Sequence, residues 1–105
     1  MKLAITAANR RALPALYAQE ALGKDAIAHV KFFNPCGAAT WYATEFDGED
    51  TFFGLCDLGF GEPELGYFSL AEMQSVRGPL GIGLERDLHW TPRPLRECSV
   101  SGVLR

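Results

Sequence analysis

Glu45 and Asp47 stand two residues apart where the run Thr40–Phe46 meets Asp47-Gly48. On an extended strand that spacing puts both side chains on one face, their carboxylates about 7 Å apart. Such a pair can move protons in acid/base chemistry or hold a cation. A hydrolase would also need one carboxyl raised in pKa by an apolar pocket, which Trp41 and Phe46 can line. The competing reading is structural. Arg86 lies on the otherwise apolar face of its own run and needs a partner, so an ion pair with Glu45 or another central acid is expected.

Other chemistries find less support. A carboxylate-lysine nuclease needs a nearby Lys, and none follows Lys31. Asp47-Gly48-Glu49-Asp50 lacks the alternating ligands and terminal Glu of a calcium loop. Cys36, Cys56 and Cys98 are far apart and odd in number, which fits neither a disulfide framework nor a zinc knuckle and points to a reducing cytoplasm. No local signature joins Cys36 to either imidazole; His29 reads as a structural residue and His89 as an exposed one. Gly78 to Gly83 is glycine-rich but has no phosphate-loop Lys. Nothing calls for a metal or cofactor.

Charge is strongly segregated. Residues 1–31 carry +3 and residues 77–105 carry +2, whereas residues 32–76 carry −8 with no Lys or Arg. The eight carboxylates are Glu45, Asp47, Glu49, Asp50, Asp57, Glu62, Glu64 and Glu72. A segment of that sign does not bind a phosphate backbone, so duplex DNA is not an expected ligand. It suits a basic protein surface. With a net charge of −3 the chain is too mildly acidic for strict DNA mimicry.

These residues must be positioned by an α+β fold, at 105 residues a single domain. An N-terminal helix begins after Thr6 and runs through Leu13, and Pro14 breaks it or starts a short turn closed by Gly23. Leu13, Leu16 and Tyr17 fall at helical spacing and are expected to face the core. Strands are expected over Ile27–Phe33, over Thr40–Phe46 with Tyr42, Thr44 and Phe46 on one face, over Thr51–Leu58 with a close approach or bulge at Gly54, and over Leu65–Phe68. A two-residue Asp47-Gly48 turn would set Glu45 against Asp50, so a four-residue loop is preferred, pairing Phe46 with Thr51 and Glu45 with Phe52. Ser69 and Glu72 form a capping box for a second helix near 69–77, with Arg77 at its C-terminal end and Gly78-Pro79 stopping it. A last strand, Leu84–Trp90, ends at Pro92 and Pro94. The sheet is therefore mostly antiparallel, with four to five strands. Residues 1–96 form the globular domain, and residues 97–105 are expected to be a mobile tail. No apolar run is long enough to span a membrane.

Three segments together resemble a known family: Thr40-Trp41-Tyr42-Ala43-Thr44-Glu45-Phe46-Asp47-Gly48-Glu49-Asp50-Thr51-Phe52-Phe53-Gly54; Glu64-Leu65-Gly66-Tyr67-Phe68-Ser69-Leu70; and Glu85-Arg86-Asp87-Leu88, preceded by Arg77-Gly78-Pro79. In order and spacing they are similar to the bacterial domain-of-unknown-function family 2958, over nearly the whole chain, with the tail after Leu95, Cys98 included, outside the pattern. The resemblance implies a small cytoplasmic protein of conjugative plasmids, integrative elements and phages, often near anti-restriction and transfer genes. The family has no assigned catalytic residues, so none carries over.

The expected function is non-enzymatic: an accessory protein of mobile elements, in its sharpest form an anti-restriction or anti-CRISPR factor. It would occupy a basic surface on a DNA-targeting effector or a conjugation component through Trp41, Tyr42, Glu45, Asp47, Glu49, Asp50, Glu62 and Glu64. The alternative is a small hydrolase using Glu45 and Asp47.

Overall fold

β-branched and aromatic runs separated by tight turns pair most cheaply with their sequence neighbours. The computed structural model, which describes residues 3–59 and 61–98, shows that meander. It is an α+β domain with a five-stranded antiparallel sheet and a second sheet of two strands. The elements are α1 (Ala7–Ala12), β1 (Ile27–Ala28), β2 (Val30–Phe33), β3 (Thr40–Phe46), β4 (Thr51–Asp57), β5 (Glu64–Ser69), α2 (Leu70–Ser75), β6 (Glu85–Arg86) and β7 (Arg93–Pro94), with short 3₁₀ turns between. The large sheet has the order β5-β4-β3-β2-β6, and β1 pairs with β7.

Each face of the sheet carries a core, the second covering β3 and β4 but not β5. One carries Val30, Phe32, Phe46, Phe52 and Phe68 beneath Leu3, Leu13, Leu70, Met73 and Leu84. The other buries Tyr42 and Leu55 beneath Ala26, Ala28, Leu95 and Cys98. The expected Ile27–Phe33 strand breaks at His29, because Ala28 leaves to pair with Arg93 while Val30 pairs with Ala43. Pro94, expected to end a strand, instead lies in a two-residue edge strand, where its missing N–H costs nothing.

A β-bulge between Ala43 and Glu45 corrects the expected alternation of β3. The extra residue, Thr44, reverses the parity beyond it, so Phe46 joins the core of Ala43 rather than the face of Tyr42. Opposite the bulge, Gly54 is obligatory: a Cβ there would lie 1.8 Å from the Tyr42 carbonyl oxygen. The hairpin register also differs by one from the expectation. Phe46 faces Phe52 and Glu45 faces Phe53, and the Phe46 and Phe52 rings stack at 4.4 Å.

Thr6 caps α1 in a box closed by Asn9 rather than by an acid. Of the expected helical core face only Leu13 is buried; Tyr17 is 63% exposed, with φ at 73°. Half of the predicted Ser69 box forms, Ser69 accepting from the Glu72 N–H. α2 ends at Ser75, and Arg77 donates to the Gln74 and Val76 carbonyls. The expected Leu84–Trp90 strand is only Glu85–Arg86, since Asp87 accepts the His89 N–H and turns the chain. Trp90 then crosses to the second core and donates to the Ala28 carbonyl. Cys98 is buried there too, so the domain continues past residue 96. The rest of the expected tail, 99–105, lies outside the described residues, as does Phe60.

Candidate functional site

Beyond the bulge, Glu45 turns to the face opposite Phe46, where the segment after Pro14 crosses the sheet. Its side chain is 3% exposed. One carboxylate oxygen accepts the Tyr17 N–H and the other the Gln19 N–H, each at 2.7 Å. Gln19 extends the network, donating to the carbonyls of Ile27 and Thr44 and accepting the Ile27 N–H. A buried carboxylate is tolerated when N–H donors replace its hydration, and here two do so. Glu45 is thus a latch that pins residues 17–19 to the sheet.

The expected Arg86–Glu45 ion pair does not form. Arg86 pairs with Phe32 across the ladder and so shares the Phe32 face, opposite to that of Glu45, with β2 between their strands. Its Nε donates to the Ala4 carbonyl at 3.1 Å. The ion pairs among the described residues are Lys31–Asp87 at 3.8 Å and Arg96–Asp25 at 2.7 Å.

Asp47 lies past the end of β3 in the exposed turn, where Oδ1 accepts the N–H groups of Glu49, Asp50 and Thr51. Those donors, Glu49 and Asp50 foremost, hold its carboxyl below the usual aspartate range. The structure therefore does not bring Glu45 and Asp47 together: one is buried and the other organises a turn. Asp50 is engaged as well, accepting the Ser69 hydroxyl and the Ala71 N–H at the start of α2. The Arg10 guanidinium covers part of the tip, donating to the Gly48 carbonyl and lying over the Phe46 ring.

The expected aromatic contacts move too. Tyr42 is buried, donates to the Cys98 carbonyl at 3.1 Å and packs on Trp90. Burial, helped by Cys98 and Asp57, pushes its phenol up to about 12. Trp41 is half-buried against the first core. Trp41, Tyr42, Glu45 and Asp50 thus hold the domain together and do not form an open partner face. Glu49, Glu62 and Glu64 remain exposed and, like Asp47, point outward.

What the residue pattern missed is the row Leu65 and Tyr67, 52% and 55% exposed on edge strand β5. The Tyr67 ring packs edge-on against Phe53 at 5.0 Å, and its hydroxyl donates to that of Tyr17 at 3.3 Å. That hydrogen bond raises the Tyr67 pKa, and Glu20 and Glu45 add to the effect. The alternation of Leu65 and Tyr67 with Phe68 was available in the sequence. That β5 would be an edge, with this face uncovered, was not.

The described surface includes open clefts. One, of about 510 Å³, lies between Leu3-Ala4 and the segment Gly81–Arg86. Another, of about 260 Å³, is bordered by Cys56, Leu58, Gly61, Glu62 and Glu64. Neither includes Glu45 or Asp47. Among the described residues no three of His, Cys, Asp and Glu converge to hold a metal ion.

The molecule is a small α+β protein whose buried polar groups bind its own backbone and which exposes Glu62 and Glu64 at the start of edge strand β5. Residues 4–99 match the family model described as Protein of unknown function (DUF2958), and the chain belongs to that family. The match runs past Leu95 to include Cys98, which corrects the expectation that the tail lies outside the pattern. Comparison with curated proteins and with solved structures yields no match.

Proposed function

We propose that this chain is a non-enzymatic, cytoplasmic protein-binding accessory of mobile genetic elements, in its sharpest form an anti-restriction or anti-CRISPR factor. It engages a basic surface on a nucleic-acid-handling effector or a conjugation component. The observation that carries this reading is the exposed row of Leu65 and Tyr67 beside Glu62 and Glu64, in a stretch of the chain, residues 32–76, without Lys or Arg. Apolar and aromatic side chains flanked at one end by charge of one sign favour a partner of the opposite sign, with the acids steering encounter and the aromatics supplying contact area. The mobile-element setting comes from the family resemblance. Glu45 and Asp47, engaged by backbone N–H groups, favour no hydrolase. Among the described residues no helix is long and apolar enough to cross a membrane.

The test is capture from a lysate of the host, comparing the wild type with the triple variant Glu49→Gln, Glu62→Gln, Glu64→Gln. The proposal expects a nucleic-acid-handling complex retained by the wild type, released by salt and lost from the variant. Equal retention by both would refute an acidic interface.

A further inference from the structure

The register of β5 decides what its free edge offers. In an antiparallel pair, residues alternate between turning their N–H and C=O toward the neighbour and away from it. The Leu70 N–H donates to the Asp50 carbonyl at 2.8 Å, and the ladder continues as Phe68 opposite Phe52, Gly66 opposite Gly54 and Glu64 opposite Cys56. These even-numbered residues therefore bond to β4. Leu65 and Tyr67 direct their backbone N–H and C=O groups outward, and among the described residues nothing accepts or donates to them. Gly66 between them has open space around its Cα. The same two residues carry the exposed apolar side chains. β5 has no bulge, Lys or internal Pro, the devices that ordinarily blunt such an edge.

We infer that β5 is a docking edge at which an extended segment of a partner protein, carrying basic residues, adds as a sixth strand. Its backbone bonds to Leu65 and Tyr67, its apolar side chains cover theirs, and its cations meet Glu62 and Glu64. Charge selects the occupant. Acids stand at both ends of the edge, with Glu62 and Glu64 at its start and the exposed Glu72 in the helix that follows Ser69. An antiparallel second copy would bring like charges against each other, whereas a basic strand neutralises both ends. This inference rests on the acidic-surface reading above and narrows it to one edge and one backbone geometry.

The probe is a capped seven-residue peptide alternating lysine with valine, titrated into the ¹⁵N-labelled full chain. The amides of Leu65 and Tyr67 should shift most. Leu65→Lys with Tyr67→Lys, both at exposed positions, should weaken binding at least about tenfold while leaving the spectrum in place away from β5 and its neighbours Phe53 and Tyr17. Glu62→Gln with Glu64→Gln should weaken it by about threefold to tenfold, as expected for two exposed ion pairs. Glu49→Gln should change it less than about twofold. Shifts centred on the 47–50 turn instead of β5 would overturn strand addition yet leave the acidic surface standing. Equal binding of a peptide with glutamate in place of lysine would overturn the basic occupant and the acidic-surface reading together. Shifts of the Leu65 and Tyr67 amides that grow with protein concentration, without peptide, would make a second copy the occupant and overturn the proposal.

Discussion

Replacing Glu45 with Gln tests whether this buried carboxylate is a latch. The side chain takes two N–H donors at 2.7 Å, and a neutral amide of the same shape can accept only one of them. Its NH₂ then faces the second N–H. A hydrogen bond to a charged group is worth about 1.5–3 kcal/mol, and the neutral side chain regains part of that by being easier to bury, so Glu45→Gln should cost about 2 kcal/mol. Glu45→Ala orphans both donors and leaves a void, for about 4 kcal/mol. In a domain of this size 2 kcal/mol lowers Tm by about 10 °C. Thermal and urea unfolding give the loss, and amide exchange shows where it acts: the Tyr17 and Gln19 amides should lose protection first. Because Arg86 lies on the other face, a double-mutant cycle of Glu45→Gln with Arg86→Ala should show a coupling below about 0.5 kcal/mol. A Glu45→Gln protein within about 0.5 kcal/mol of wild type, or a coupling above about 1 kcal/mol, would refute the latch.

Gly54→Ala should destabilise beyond the roughly 1–3 kcal/mol of ordinary overpacking, because the new methyl meets backbone rather than a movable side chain; urea titration measures it, and a loss under about 1 kcal/mol would contradict the close approach. Tyr42, with its phenol pushed up to about 12 from 10.0, adds stability that is complete below pH 10 and disappears as pH rises through 12. Tyr42→Phe should therefore flatten the alkaline side of the stability profile and cost about 1 kcal/mol at neutral pH through the lost bond to Cys98; an unchanged alkaline slope would count against it. The depressed carboxyl of Asp47 works in the opposite direction. Its contribution is full above the unfolded value near 3.8 and fades as pH falls through the lower folded value, so Asp47→Ala should make unfolding less steep on the acid side. Acid profiles that superimpose would show that the turn does not need the carboxylate.

Much of the architecture was legible because its signals are local. The long runs of β3 and β4 and the Thr6 and Ser69 caps each depend on neighbours a few residues away, and the close approach at Gly54 on the adjacent strand of the same hairpin. The failures are tertiary. The bulge at Thr44 breaks no sequence rule, yet it moves Phe46 to the other core and turns Glu45 toward the 17–19 segment. The Tyr17 and Gln19 N–H groups that claim Glu45 carry no side-chain signature, so Arg86 looked like the better partner. Tyr42 looked free only because the second layer, Trp90 to Cys98, arrives from the far end of the chain. The central acids were visible from composition, but which of them remain exposed depended on the hydrogen bonds of Asp47 and Asp50. The prominence of Leu65 and Tyr67 followed from strand order, which local pattern does not encode.

Hydrogen exchange across the chain, free and in complex with the partner that the capture experiment retains, tests the central claim most directly. The account predicts slowed exchange at Leu65 and Tyr67, with little change in the cleft between Leu3-Ala4 and Gly81–Arg86. Protection in that cleft with β5 unaffected would contradict it, and would move the interface to the opposite edge of the sheet.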